Sequence, residues 1–170
     1  ISNDAGTSNG GAIYNVGTLT IINSMLGANS TTGFGGAIFN NGGSVTISNT
    51  TIINNEALQG GGIWHSEGTV TVTNSAIRSN RASDDGGGLH IDVGTVTVVN
   101  STFYDNRAAG GGGIYMRGNS LTITNSTFTH NRADTAGALL NAGTTRVKNS
   151  IFNDSRNTND TASSLNCDGP

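Results

Sequence analysis

The sequence predicts an all-β fold, a parallel β-helix (solenoid) of about six coils of 25–26 residues, with three short strands in each coil. Three observations carry this. One block recurs: "GGAIYNVGTLTIINS" at residues 10–24 returns as "GGAIFNNGGSVTISNT" (35–50), "GGIWHSEGTVTVTNS" (61–75), "GGLHIDVGTVTVVNS" (87–101) and "GGIYMRGNSLTITNS" (112–126). Within each block polar and apolar residues alternate, the period of a half-buried strand. Gly and Asn interrupt these runs so often that little room is left for helices. One copy cannot bury its apolar face alone, whereas stacked copies supply one another's hydrogen bonds and inner wall.

Along one coil, the first strand follows the Gly pair and covers "GAIY" and its equivalents. It places Ile13, Ile38, Ile63, Leu89, Ile114 and Leu139 in one inward file, spaced by 25 or 26 residues. The Gly doublets suit positions of positive φ or close backbone approach. The second strand is "TLTI" (18–21), repeated as "SVTI", "TVTV", "TVTV" and "SLTI". Its inward files run Leu19, Val45, Val70, Val96, Leu121 and Ile21, Ile47, Val72, Val98, Ile123. A bend follows at Asn23, Asn49, Asn74, Asn100, Asn125 and Asn149. The third strand carries Leu26, Ile52, Ile77, Phe103, Phe128 and Phe152, and Asn3, Asn29, Asn55, Asn80, Asn106 and Asn131 close the coil. Both Asn files are expected at bends, their amides bridging to the rungs above and below. The glycosylation sequons at Asn49, Asn100 and Asn125 lie on the first of these files and are expected to be inaccessible. With about 4.8 Å between rungs, six rungs make a column about 29 Å long.

Residues 1–155 are assigned to the repeats and 156–170 to an irregular segment leading out of them. "ISNDA" (1–5) aligns with "RSNRA" (78–82), so the chain opens in mid-coil and is expected to be a piece of something longer. Of 170 residues 26 are Gly and only 11% are charged, with Lys148 the single Lys. Such a composition suits disorder, but the regular apolar spacing opposes it. A net charge of −3 gives no reason to expect nucleic acid or an anionic membrane as partner. No apolar run approaches the roughly 18 residues of a membrane span, so no direct membrane insertion is expected. Cys167 is the single cysteine, and no disulfide can form within the chain.

The motifs "GGAI" (10–13 and 35–38) and "FYDN" (103–106) with "FTHN" (128–131) resemble the G-G-A-I and F-x-x-N repeats of polymorphic outer-membrane proteins and autotransporter passengers of bacterial surfaces. Leu26, Ile52 and Ile77 replace the Phe in earlier copies, and "FNDS" loses the Asn. The resemblance spans about residues 1–155. It implies a right-handed helix and an extracellular, cell-surface location. The tail "SSLNCDGP" is similar to an N-C-x-G segment after such repeats, which implies a partner for Cys167 beyond residue 170; a free structural thiol is the alternative.

Because many β-helices cleave polysaccharides, an enzyme is the reading to test. Paired carboxylates or calcium ligands are needed, and here the acidic residues scatter over different faces, with only Asp84 and Asp85 adjoining. His65, His90 and His130 fall in three different phases and make no metal triad. No enzyme, cofactor or metal is expected. Three outward files remain as candidate binding faces. Thr18, Thr20, Ser44, Thr46, Thr69, Thr71, Thr95, Thr97, Ser120 and Thr122 form a hydroxyl array, widened by Thr73 and Thr124 and ended by Arg146 and Lys148. It is similar to the T-x-T faces of ice-binding solenoids, although Thr is also a favoured exposed strand residue. Tyr14, Phe39, Trp64, His90 and Tyr115, followed by Leu140, form an aromatic row that either grips sugars or is covered by a neighbouring loop. Arg81, Arg107 and Arg132 form a basic row, expected to be neutralised by Asp105, Asp134 and the Asp84–Asp85 pair.

The function expected is a non-enzymatic structural or adhesive β-helix, a rigid stalk or passenger of a bacterial surface protein. Its partners are then other copies of itself or flanking coils, and a host-cell or glycan surface. Ice binding through the Thr-x-Thr array and a carbohydrate-binding or polysaccharide-degrading helix are the alternatives.

Overall fold

The computed structural model describes residues 2–157 and the backbone of residues 167–168. The stretch 158–166, with the sequon at Asn159, and the side chain of Cys167 lie outside the described residues. The chain winds as a parallel solenoid of about six coils. Its first sheet stacks Ile13–Asn15, Ile38–Asn40, Ile63–His65, Leu89–Ile91, Ile114–Met116 and Leu139–Asn141, and Cys167–Asp168 adds a further parallel rung. The second stacks Thr18–Ile22, Ser44–Ser48, Thr69–Thr73, Thr95–Val99, Ser120–Thr124 and Thr144–Lys148. The third stacks Met25–Gly27, Thr51–Ile53, Ala76–Arg78, Thr102–Tyr104, Thr127–Thr129 and Ile151–Asn153.

The register is the one the spacing predicts. Ile13 lies over Ile38, then Ile63, Leu89, Ile114 and Leu139. The second sheet alternates in all but its last rung: in Ser44–Ser48 the residues Val45 and Ile47 are buried while Thr46 is exposed. These inward files merge with Ile52, Ile77, Phe103 and Phe128 into one apolar cluster. Each fully buried aliphatic side chain contributes about 1.5–3 kcal/mol. Phe103, Phe128 and Phe152 stack face to face along the axis, with centroids 4.7 and 4.8 Å apart.

A fourth file adds to the three expected strands. Glu56–Ala57 pairs with Arg81–Ala82, and Arg132–Ala133 with Arg156–Asn157. Asp4, Ser30 and Arg107 join the same file through single bridges. Each copy has one outward and one inward residue, too short a run to register as alternation.

The two Asn files differ in depth. Asn23, Asn49, Asn74, Asn100, Asn125 and Asn149 sit at φ of 48–51°, the left-handed region that Asn tolerates better than most residues. That conformation turns their side chains outward. Asn49, Asn100 and Asn125 are exposed, which corrects the expectation that their sequons are inaccessible. The hydroxyl that follows each of them faces inward instead. Ser75 Oγ accepts from the Thr50 N–H at 3.1 Å and donates to the Thr73 carbonyl at 2.7 Å, and Ser101 and Ser126 repeat the pattern. From Asn29 to Asn131 the second Asn file is buried, and only Asn3, in the first coil, is exposed. Asn80 is representative: its Oδ1 accepts from the backbone N–H of Asn55 at 3.0 Å and its Nδ2 at 2.9 Å. Asn80 Nδ2 then donates to the Ile52 carbonyl and to Asn106 Oδ1, both at 3.0 Å.

Candidate functional site

The hydroxyl array is a single flat face. Thr18, Ser44, Thr69, Thr95 and Ser120 stand in one file, and Thr20, Thr46, Thr71, Thr97 and Thr122 in the next, paired rung by rung. Thr144 and Arg146 continue the two files in the last rung. All ten side chains are exposed or half-exposed. None of the ten hydroxyls has a protein partner among the described residues, so each is open to water or a ligand. Spacing is about 4.8 Å between rungs and about 6.6 Å along each strand, and β-branching stiffens the Thr side chains at χ1. A third outward file is mixed: Ile22, Ser48, Thr73, Val99, Thr124 and Lys148.

The aromatic row is a continuous stack. Centroids are 5.0 Å apart for Tyr14–Phe39, 4.6 Å for Phe39–Trp64, 5.9 Å for Trp64–His90 and 4.9 Å for His90–Tyr115. Interplanar angles of 6–28° set the rings face to face. Phe34, from the turn before the first strand, adds a ring 5.4 Å from Trp64. Gripping a sugar needs an open ring face, and the faces of Phe39, Trp64 and His90 are taken by their neighbours. Phe39 and His90 are buried, whereas Tyr14 at one end of the row is 53% exposed.

Among the described residues, three buried polar atoms in or beside this stack make no well-aligned hydrogen bond: Trp64 Nε1, His90 Nδ1 and His65 Nε2. His65 belongs to an inward polar chain in which Asn15 Nδ2 donates to Asn40 Oδ1 at 2.7 Å and Asn40 Nδ2 lies 3.0 Å from His65 Nδ1. Burial lowers the His65 pKa to about 4, only partly offset by the Gly68 carbonyl. Burial likewise lowers His90 to about 4. Near His90 the structure gathers Asp84, Asp85, Asp92 and Arg117. Burial, then the neighbouring Asp84, raises Asp85 to about 6, while Arg117 pairs with Asp92 at 3.1 Å. Asp92 and Arg117 follow the paired residues Ile91 and Met116 and so share a phase one coil apart. What the phase count does not show is that the turn of Asp84 and Asp85, at another place in the coil, meets them here. His130 stands apart, 3.1 Å from Asp154.

Arg81, Arg107 and Arg132 share the fourth file, as predicted. Asp105 meets Arg132 at 2.8 Å as expected. Arg81 finds Glu56 at 4.0 Å, and Arg156 finds Asp154 at 2.6 Å. Neutralisation therefore comes mostly from residues one coil away or two positions along. Asp84 is instead held by Gln59 Nε2 at 2.6 Å. Among the described residues no group of three or more His, Cys, Asp or Glu is placed to hold a metal, and no helix is long and apolar enough to cross a membrane.

The family model of the right-handed β-helix region matches residues 61–167, more than half of the chain. No curated protein and no solved structure matches it.

Proposed function

This chain belongs to the right-handed β-helix family, and from that premise we propose that it serves as a non-enzymatic, extracellular rod of a bacterial surface protein, displaying repeated side chains to a host-cell or glycan surface. The observation that carries the proposal is the hydroxyl face: ten unpartnered Ser and Thr side chains at fixed spacing on a sheet held rigid by coil-to-coil pairing. Single hydroxyl contacts are weak, but a rigid file offers many at once, and their sum gives avidity without a deep pocket.

The same face supports a second reading. Two parallel files of hydroxyls and methyls in register can order a layer of water, as ice binding requires. A polysaccharide-degrading helix is less well supported, because the aromatic faces that would seat a sugar are paired with one another.

One variant separates the readings. Thr71 sits at the centre of the face, and Thr71→Tyr raises a ring above its plane. Loss of cell or glycan-array binding supports the adhesive rod. Loss of thermal hysteresis in the same variant supports ice binding. Release of oligosaccharides from any polysaccharide by the wild-type protein sinks both.

A further inference from the structure

The fourth file carries its charges in an uneven order. Asp4, Ser30, Glu56, Arg81, Arg107, Arg132 and Arg156 follow one another along the axis. The early coils are thus acidic and the later ones basic, with the reversal between Glu56 and Arg81. These side chains point outward, because the next residue in each later copy, such as Ala57, Ala82 and Ala133, is buried. Beside the file runs a shallow trough. One stretch of it is lined by Asp4, Glu56, Leu58 and Ser83, and the adjoining stretch by Ser83, Arg107 and Asp134. Leu58, 41% exposed, stands next to the point of charge reversal.

A face whose charge reverses about its middle is complementary to itself when inverted. We propose that two copies of this chain pair side by side through this face, with antiparallel axes. The two-fold axis that reverses the solenoid direction while bringing the faces together leaves each file opposite its own copy. Centred between the rungs of Glu56 and Arg81, it sets Glu56 against the partner's Arg81, Asp4 against the partner's Arg132, and Leu58 against the partner's Ser83. The Glu56–Arg81 contact within one chain, at 4.0 Å, then becomes half of a four-charge square of alternating sign. A polyanion fits this face less well. Arg81, Arg132 and Arg156 already have carboxylate neighbours, and the acidic half repels it.

Rim-type ion pairs are individually weak and screened by salt, so the pairing is of modest affinity and weakens as salt rises. Sedimentation velocity on the intact chain tests it, with Glu56→Arg and Arg81→Glu each alone and then mixed. The wild type is expected to dimerise at low salt and dissociate at high salt. Each single variant sets like charges together across the two-fold, weakening association by roughly tenfold. Mixed in equal amounts, the two variants restore opposite charges and recover the dimer. A wild type that stays monomeric at low salt, single variants that associate as the wild type does, or a mixture that stays monomeric each overturns the proposal. Wild-type monomers captured on an immobilised acidic polysaccharide assign the face to a polyanion instead. None of these outcomes bears on the hydroxyl face, which lies on a different sheet.

Discussion

Replacing Asn80 by Ala tests how the coils are held together. The side chain makes four hydrogen bonds. Its Oδ1 accepts from the Asn55 backbone N–H and from Asn55 Nδ2, and its Nδ2 donates to the Ile52 carbonyl and to Asn106 Oδ1. Asn55 Nδ2 keeps a second acceptor in the Leu26 carbonyl, and Asn106 Oδ1 keeps the Asn80 backbone N–H. The Asn55 N–H keeps nothing, and Asn55 is 1% exposed. An orphaned buried donor costs about 1–3 kcal/mol, and the other lost bonds add about 1 kcal/mol each at most. With partial relaxation, Asn80→Ala destabilises by about 3–5 kcal/mol. Asn74→Ala is the control. Asn74 is exposed, and its amide meets only Asn100, at 3.2 Å. What is lost there is chiefly the tolerance of Asn for φ near 49°, worth about 1 kcal/mol. Urea unfolding followed by far-ultraviolet circular dichroism gives both values, and amide exchange at Asn55 should accelerate only in the Asn80 variant. Equal losses in the two variants refute the view that the inner amide file, rather than the outer one, secures coil to coil.

Two further outcomes follow from buried groups. His65 and His90 have folded pKa values of about 4 against 6.5 for an ordinary His, so the unfolded chain takes up protons that the folded chain refuses. Stability is therefore full above pH 6.5 and falls between 6.5 and 4, by up to about 3 kcal/mol for each His. Asp85, raised to about 6, acts in the opposite sense, since its contribution is present at low pH and lost as pH rises through 6. A pH series of urea midpoints should show a net loss towards pH 4 that His65→Asn reduces; a flat wild-type profile contradicts this. For the backbone, a Cβ at Gly87 would lie 2.5 Å from the Gly112 carbonyl and 2.6 Å from the Arg107 N. Gly87→Ala should cost more than about 3 kcal/mol or prevent folding. Gly118→Ala, whose nearest neighbour is the Asp92 carbonyl oxygen at 3.5 Å, should change stability by no more than about 0.5 kcal/mol. Thermal melts of the two variants that coincide would be evidence against such close coil approach.

The period was legible because every coil has the same length to within a residue. Register then follows by counting, and the files of Ile38, Val45 and Phe128 need nothing more. Depth at a bend is another matter. Asn74 and Asn80 are the same residue type in files of the same period, and both read as bend positions. Asn74 has a positive φ and looks out, while Asn80 does not and looks in, a choice fixed by a dihedral angle that spacing does not encode. The run Asn-Ser or Asn-Thr was the available signal. A small hydroxyl after each left-handed Asn is the residue that can turn inward and bond across coils, as Ser75 and Ser101 do. The charged gathering was half hidden for a different reason: Asp92 and Arg117 share a phase one coil apart, but Asp84 and Asp85 come from a turn at a different place in the coil. For the aromatic row, the file was evident from counting but the tilt of the rings was not, and ring tilt decides whether a sugar has a face to rest on.

Trp64 is the only tryptophan in the chain, and the stack places it between Phe39 and His90, with Phe34 alongside. The molecule thus carries one indole lamp, set in its third coil. Its emission colour and intensity report whether the second, third and fourth coils are still seated on one another. A solenoid that frays from its far end keeps that light unchanged long after its circular dichroism has begun to fade.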